Sequence, residues 1–233
     1  MALVIVIGSI LITYFVYWGS KKAYSKWKIF IFSPLLLSPI VLILLLSLSE
    51  VPYSTYYTGA KWLSYLLGPA TVAFAVPMYK QVHLLKKHLF EVAASIVVGS
   101  AVAIVSSFLY AVWIRLSPSL ITSLVPRSIT TPVAMDVSKT IGGVPTLTAV
   151  FVIITGITGS IMGPAMIRLF KIEKATAKGL MLGMSSHGAG TSRAFEIGDL
   201  EGTFASLAMI TAAIVTIILA YTIFPVLQNE LIM

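Results

Sequence analysis

The stretch Leu124-Val-Pro-Arg-Ser-Ile-Thr-Thr-Pro-Val-Ala-Met-Asp-Val137 decides the fold, because it is polar and interrupted by prolines amid long apolar runs. It holds two prolines, an arginine, an aspartate and three side chains with hydroxyl groups. Lipid cannot satisfy the backbone groups that a proline frees, and it cannot solvate a guanidinium. Such a segment persists at membrane depth only inside protein or beside a wet cavity. The stretch therefore predicts a break between two half-helices that lines a binding site.

The composition of the whole chain indicates a membrane protein. Of its 233 residues, 58% are hydrophobic and 10% are charged, and the mean hydropathy is +0.98. Soluble domains carry about a quarter charged residues, and one domain of this size could not bury so many apolar side chains. The apolar runs have lengths of about 17 to 25 residues, which suit helices rather than barrel strands. We predict an all-α, multi-pass protein of the cell membrane with six to eight membrane segments, some broken or re-entrant.

The charges and the cysteine content exclude several classes of function. The net charge is +8, but the cations lie in short loops between apolar runs, which is the pattern that orients membrane proteins rather than one that binds nucleic acid. The chain has no cysteine, so disulfides, thiolate chemistry and cysteine metal sites are excluded. His83 and His88 lie five apart among lysines, a spacing that predicts no metal site. We expect no cofactor, and the surrounding partner is membrane lipid.

We predict a single integral membrane domain over residues 1–233. Residues 1–58 supply two N-terminal spans, and residues 59–226 form a core with broken helices near 68–69, 126–132 and 186–193. The residues predicted to break helices are Pro69, Pro126, Pro132 and Gly188. At Gly68-Pro69, a proline kink in an ordinary spanning helix is the alternative.

The path of residues 117–143 depends on two conflicting signals. The basic loops Lys80–His88 and Arg168–Lys178 should both be cytoplasmic, which requires 117–143 to be re-entrant. A faint repeat at an offset of 57 residues aligns Pro69 with Pro126 and Gly99 with Gly156. If that repeat were parallel, Arg168–Lys178 would lie outside. We favour the charge pattern.

The residues around Arg127 predict an anion site. Pro126 disfavours helical geometry at Val125, and Thr131 is expected to cap a half-helix whose first residue is Pro132. The free N–H groups of such a helix carry about half a positive charge. With Arg127 nearby, a carboxylate is the obvious ligand. The alternative is that Arg127 snorkels to the interface from an ordinary loop.

A second polar break lies at Ser185-Ser-His-Gly-Ala-Gly-Thr-Ser-Arg-Ala194. His187 can change charge near neutral pH, and the two glycines let backbone approach closely. Thr191 is expected to cap a helix that starts at Ser192. The alternative is a structural histidine bonded to a carbonyl at the cytoplasmic face.

The predicted substrate-binding residues come from both polar breaks and from the first interrupted helix: Arg127, Ser128, Thr130, Thr131, Ser186, His187, Gly190, Thr191, Arg193 and Thr71. The candidates for proton coupling are His187 and Asp136, although Asp136 could instead form a buried pair with Lys139. A serine hydrolase is not favoured, because no nucleophile elbow is present, and we predict that the chain is not an enzyme. Two broken helices that meet near mid-membrane are typical of a secondary transporter.

Four motifs resemble the LrgB/CidB family, and the resemblance runs from Ser33 to Val226. They are Leu67–Pro77 with Tyr79-Lys80-Gln81, Pro126–Pro132 with Ala134-Met135, Thr155-Gly156-Ile157, and Ser186–Ala194. The chain is also similar to the C-terminal half of the plant plastid glycolate/glycerate translocator. Arg127 fits a position that accepts Lys or Arg, whereas Ala189 departs from a frequent Ile.

The resemblance implies two functions. One is transport of small monocarboxylates (glycolate, glycerate or pyruvate-like), either proton-coupled or facilitative. The alternative is an antiholin-like regulator that controls murein hydrolases and autolysis with an LrgA/CidA-type membrane subunit. For the regulator, we expect lysis to be sensitive to changes on lipid-facing packing surfaces, such as the G-x-x-x-G faces at Gly159/Gly163 and Gly179/Gly183. We also expect a homodimer.

Overall fold

A computed structural model describes residues 2–27, 32–66, 69, 72–73, 75–80 and 82–226. Every regular element in these ranges is helical, which confirms the all-α prediction. The chain forms two compact units, residues 1–75 and 76–233.

The helices, in chain order, are α1 (Ala2–Trp27), α2 (Pro34–Leu48), α3 (Tyr53–Tyr65), α4 (Ala75–Lys80), α5 (Val82–Lys87), α6 (Leu89–Trp113), α7 (Pro118–Leu124), a 3-10 turn (Val125–Ser128), α8 (Thr131–Thr140), α9 (Pro145–Leu169), α10 (Ala175–Ile197) and α11 (Asp199–Thr222). Within the described ranges, four helices are long and apolar enough to cross a membrane: α1, α6, α9, and α11 with its continuation to Val226. The chain therefore has the helices of a membrane protein, and the total of six to eight segments stays a prediction.

In the N-terminal unit, α3 runs back along α1. The hydroxyl groups of Thr13 and Tyr56 are 2.8 Å apart. A Cβ atom on Gly59 would lie 2.7 Å from Cβ of Ser9, so only glycine allows this approach. The break predicted near 68–69 falls partly outside the described residues. Pro69 is helical, whereas Gly68 and Thr71 lie outside the described residues.

In the C-terminal unit, α6 and α11 run in the same direction. Near the start of both helices, Ile96 packs in a cluster with Phe204 and Ala208. Near their far ends, the rings of Phe108 and Phe224 meet edge to face with centroids 5.9 Å apart. The two helices therefore share a first end, where α6 begins, and a second end, where it finishes.

Helix α9 runs in the opposite direction to α6 and α11. Its last turns reach the first end, where Ile167 packs against the cluster that contains Ala205 of α11. Its first turns lie at the second end, where the Thr148 hydroxyl donates to Oγ of Ser138 at 2.6 Å. Helix α9 therefore carries the chain back from the second end to the first.

Residues 118–140 form a hairpin that enters the bundle from the second end and returns to it. At the base of this first hairpin, the Val144 N–H donates to Oγ of Ser123 at 2.8 Å. Leu116 before the hairpin and Ile141 after it pack against the same apolar cluster. The even number of crossings inferred from the basic loops agrees with this path.

Residues 175–197 form a second hairpin, which enters from the first end. Gly190 lies against the carbonyl of Leu182, with which a Cβ atom at this position would collide. In a continuous helix, residues eight positions apart would be separated by about 12 Å, so the chain folds back between these two residues. The chain reverses at His187, whose φ of 39° and ψ of −122° are not helical. Both ends of the hairpin then contact the start of α11. Gly179 in the entering half contacts Glu201, and Phe195 in the returning half contacts Gly202.

The two hairpins and the helices that precede them form an inverted repeat. The long helices begin 56 positions apart, at Leu89 and Pro145, and end 56 apart, at Trp113 and Leu169. The hairpins begin and end 57 positions apart, at 118 and 175 and at 140 and 197. The hairpin offset equals the 57 residues found in the sequence, whereas the long helices are related by 56, so Gly99 is not the counterpart of Gly156. The copies run in opposite directions, so the parallel form of the repeat is wrong.

The observed positions of the breaks and helix caps differ from the predicted positions by one residue or more. Val125 is helical, with φ −53° and ψ −48°, so Pro126 does not end the turn but continues it as a 3-10 helix. The N-cap of α8 is Thr130 rather than Thr131. In the second hairpin the break is at His187, not at Gly188, and Thr191 lies within the helix rather than at its cap.

The hairpin paths predict which engineered cysteines share a side of the membrane. Because the chain has no cysteine, each single variant reports one position. Ser117→Cys and Thr140→Cys flank the first hairpin, and an impermeant maleimide should label both from the same side of intact vesicles. Lys174→Cys and Asp199→Cys flank the second hairpin and should be labelled only from the other side. Labelling of Ser117→Cys and Thr140→Cys from opposite sides would contradict the first hairpin.

The close approach of α10 to α11 predicts a large effect of one methyl group. A Cβ on Gly183 would lie 2.7 Å from Cα of Ala205, which is backbone and cannot rotate away. Gly183→Ala should destabilise the protein by about 1–3 kcal/mol, measured as a lower melting temperature in detergent. Gly8→Ala is the matched control, since nothing lies within 4 Å of its Cβ position and it lies on an exposed part of α1. Equal melting temperatures for wild type and Gly183→Ala would refute this packing.

Candidate functional site

The tips of the two hairpins reach the middle of α9 from opposite ends. At the first tip, Nη1 of Arg127 donates to Oγ1 of Thr155 at 3.2 Å. At the second tip, Nε2 of His187 lies 3.1 Å from the carbonyl oxygen of Val152. The 3-10 turn of the first hairpin also contacts α10 directly. The two polar breaks predicted from the sequence therefore converge on one helical turn of α9.

Arg127 is held between the two long helices of the repeat. Its Nε donates to Oγ of Ser107 on α6 at 3.0 Å, in addition to the bond to Thr155 on α9. The Ser107 hydroxyl donates in turn to the carbonyl of Ala103 at 2.6 Å. Ser107 therefore acts as an acceptor toward the guanidinium, and its own bond to Ala103 helps to hold the Arg127 side chain in one orientation.

The charge of Arg127 meets no carboxylate in the part of the chain that the structure describes. Both of its side-chain partners are neutral hydroxyl groups. The ion pairs found among the described residues join His88 to Glu91 and Arg193 to Glu196. Two of the five N–H donors of the guanidinium are used in these hydrogen bonds, so the others remain for a ligand. A half-buried cation with this arrangement favours an anion.

His187 occupies a strained and crowded position. Its φ is positive, which is uncommon for a residue with a side chain and costs about 1–3 kcal/mol. A Cβ on Gly156 would lie 2.7 Å from Cε1 of the imidazole, so the glycine makes room for the ring. Although only 8% exposed, the ring keeps a polar partner in the carbonyl of Val152. The surrounding packing thus maintains the reversal of the chain.

The other predicted residues of the second hairpin serve its packing. The buried hydroxyl of Ser186 lies 3.0 Å from Oγ of Ser185, and Thr191 donates to the carbonyl of His187 at 2.8 Å. Gly190 lies against the backbone of Leu182. These residues shape the tip from within the hairpin.

The predicted hydroxyl groups of the first hairpin lie at its tip with Arg127. Ser128, Thr130 and Thr131 are each half-buried, so part of each residue is accessible. Arg127 and these three residues therefore lie together at the tip, and their binding of a substrate stays a prediction.

Two predicted residues lie apart from the tips. Arg193 is six positions beyond His187 toward the first end, and it pairs with Glu196. Asp136 is exposed on α8, and no ion pair joins it to Lys139 among the described residues. The alternative of a buried Asp136–Lys139 pair is therefore wrong.

Sequence reasoning missed the two residues that position Arg127. Ser107 is an ordinary serine in an apolar helix, and nothing in the sequence distinguishes it from its neighbour Ser106. Thr155 belongs to the Thr155-Gly156-Ile157 motif, which could have indicated it. Both become visible only when the hairpin is folded against α6 and α9.

The chain is similar to a known protein family and to several named proteins. The model of the LrgB-like family matches residues 13–226. The Bacillus subtilis protein YwbG is 50% identical over 211 residues, which cover 91% of this chain and 94% of that protein. YxaC of the same organism is 37% identical over 205 residues, covering 88% of this chain and 89% of YxaC. No solved structure matches the chain.

A relative with a descriptive name is the antiholin-like protein LrgB of Bacillus cereus (strain B4264). It is 35% identical over 189 residues, which cover 81% of this chain and 82% of the relative. The family match spans most of the sequence, including both hairpins and the long helices that hold them. The chain belongs to the LrgB-like family.

Proposed function

We propose that this chain carries small monocarboxylates, of the glycolate, glycerate or pyruvate type, across the cell membrane. The observation that carries the proposal is Arg127, a half-buried cation whose side-chain partners are two neutral hydroxyl groups. An uncompensated charge at membrane depth is costly, and a bound anion would neutralise it. A carboxylate suits the planar fork of a guanidinium, which can donate to both of its oxygens.

The inverted repeat supports transport over simple binding. Secondary transporters commonly place the substrate where half-helices of two inverted repeats meet near mid-membrane. Here the first hairpin enters from one end of the bundle and the second from the other, and both tips reach residues 152–156 of α9. A solute at Arg127 would then be separated from each end by a different hairpin.

The distribution of cations gives the orientation that this proposal implies. The first end of the C-terminal unit carries Lys86, Lys87, Arg168, Lys171 and Lys174, whereas the loop after α6 at the second end carries Arg115. Short loops rich in lysine and arginine remain in the cytoplasm. The second hairpin would therefore enter from the cytoplasm and the first from outside.

Proton coupling, if transport is coupled, would involve His187 rather than Asp136. His187 lies at a tip, and its Nε2 is bonded to α9 beside Thr155. Asp136 is exposed on the returning half of the first hairpin. Facilitated movement without a proton is the simpler form of the same proposal.

The first experiment measures uptake of labelled glycolate or pyruvate by liposomes that contain the purified protein. Arg127→Ala should lower uptake at least about tenfold, because hydrogen bonds to a charged group contribute about 1.5–3 kcal/mol and 1.4 kcal/mol is a tenfold change. Arg168→Ala is the control, since this arginine is exposed at the end of α9. The proposal fails if wild-type liposomes, with an LrgA/CidA-type subunit also present, take up no more than empty liposomes.

A second candidate function is antiholin-like regulation of murein hydrolases together with an LrgA/CidA-type membrane subunit. The observation that favours it is the name of the Bacillus cereus relatives, which are antiholin-like proteins, and the comparisons support it more directly than transport. Contact with such a subunit, or with a second copy in a homodimer, would use lipid-facing side chains. The G-x-x-x-G faces cannot serve, since Gly159 and Gly163 pack on α10 and Gly179 and Gly183 on α11. The prediction that these faces are lipid-facing is therefore wrong.

The two functions predict different effects of one substitution in cells. If regulation is independent of transport, a strain that carries Arg127→Ala should lyse at the wild-type rate, because the tip of the first hairpin is inside the bundle. If lysis follows from altered carboxylate flux, the same variant should behave like a deletion. Lysis is measured as the fall in culture turbidity after growth stops, with Arg168→Ala as the control and the membrane level of each variant measured by immunoblot.

A further inference from the structure

The inner face of α6 carries a buried hydroxyl group that no contact explains. Ser100 is 4% exposed, and its Oγ has no hydrogen-bond partner. Among the described residues, the other hydroxyl in this state belongs to Ser38 in the N-terminal unit. An unsatisfied buried hydroxyl costs about 1–3 kcal/mol, and most buried serines of this chain avoid that cost by donating to a carbonyl one turn earlier, as Ser107 does.

Ser100 lies at the height where the apolar core is interrupted. One turn before it, Ile96 packs in a cluster with Phe204 and Ala208 of α11. One turn after it, Ile104 packs in a different cluster with Ile121 and Val125 of the first hairpin. Ser100 thus interrupts the apolar packing of α6 between the core of one end and the core of the other.

The symmetry of the repeat predicts that Ser100 lies beside a hairpin tip. At the offset of 56 that relates α6 to α9, Ser100 corresponds to Gly156. Gly156 lies against the tip residue His187 of the second hairpin. At the hairpin offset of 57, His187 corresponds to Thr130, which is at the tip of the first hairpin. The symmetry therefore predicts that Ser100 faces Thr130, with a hydroxyl group where the second repeat has a glycine that makes room for a ring.

Ser100 and Arg127 can hold two ends of one small molecule. Ser107, which accepts from Arg127, is seven residues from Ser100, or about two turns and 10 Å along the same face of the helix. After each group takes its hydrogen-bond distance of about 3 Å, the length that is left matches a short organic acid. A carboxylate at Arg127 would then have its carbon chain directed along α6 toward Ser100.

We propose that Ser100 is a further substrate-contacting residue, which hydrogen-bonds the hydroxyl or keto oxygen carried by the carbon chain of the carboxylate held at Arg127. This inference rests on the transport function proposed above. It assigns to Ser100 the discrimination between oxygen-bearing acids and plain fatty acids of the same length. Without a ligand, the unpaired hydroxyl of Ser100 lowers the stability of the folded protein.

The test compares glycolate with acetate, which differ by one hydroxyl group, in liposomes that contain the full chain. Wild type should take up glycolate with a lower KM than acetate. Ser100→Ala should reduce that preference by about threefold to tenfold, which is the range expected for one hydrogen bond, and leave the KM for acetate unchanged. Ser100→Thr keeps a hydroxyl and should retain part of the preference.

Ser38→Ala is the matched control, because Ser38 is also buried and unpaired but lies in the N-terminal unit. Ser38→Ala should change neither KM. Both alanine variants should melt at or above the wild-type temperature, since each removes an unsatisfied hydroxyl. A lower melting temperature for Ser100→Ala would mean that the hydroxyl is structural and would overturn the inference.

The outcomes separate this inference from the proposed function. If wild type takes up neither acid, transport itself fails. If wild type takes up both but Ser100→Ala leaves the ratio of the two KM values unchanged, or raises both values equally, transport stands and the role of Ser100 is refuted. If wild type shows no preference for glycolate over acetate, the role of Ser100 is likewise refuted.

Discussion

The structure depends on one constraint, which is that a helix broken at membrane depth must be satisfied by the protein itself. Lipid offers no partner for the backbone groups freed at Pro126 and His187. Each break is therefore the tip of a hairpin, whose two halves lie side by side and cover each other. The tips end against α9, where Thr155 accepts from Arg127 and the carbonyl of Val152 meets His187.

Such hairpins require backbones that approach closely, and glycine supplies the space. Gly190 lets the returning half of the second hairpin lie against the backbone of Leu182, and Gly183 brings the entering half onto Ala205. Gly156 leaves room for the imidazole on the neighbouring helix. In lipid, where apolar surface alone does not drive helices together, this close contact is a main source of association. The glycines of this region thus hold the second tip in place, and they are not available to outside partners.

The sequence predicted the places where the helices break better than it predicted their geometry. Arg127 with its flanking prolines, and His187 with its flanking glycines, are unmistakable in apolar surroundings, because their cost in lipid demands an explanation. The residue that reverses the chain was not predictable, since glycine has the stronger intrinsic preference for positive φ, yet His187 adopts it and Gly188 does not. Tertiary contacts with Val152 and Gly156 decide between them. Ser107 and Ser100 carry no local signal at all, because their roles arise only from what the hairpins bring beside α6.

The direction of the repeat follows from the number of crossings in each copy. A sequence offset alone carries no direction, so an offset of 57 residues fits parallel and inverted copies equally. Each copy here contains one long helix and one hairpin that returns, and a unit with an odd number of crossings leaves the next copy upside down. Had residues 117–143 crossed fully, each copy would have had two crossings, and the repeat would have been parallel. The basic loops Lys80–His88 and Arg168–Lys178 thus decide both the path of the first hairpin and the direction of the repeat. Placing the two loops on one side of the membrane requires the hairpin to return, and its return requires the second copy to be inverted. The two tips consequently enter from opposite ends, and the polar site between them follows from the same odd number of crossings in each copy.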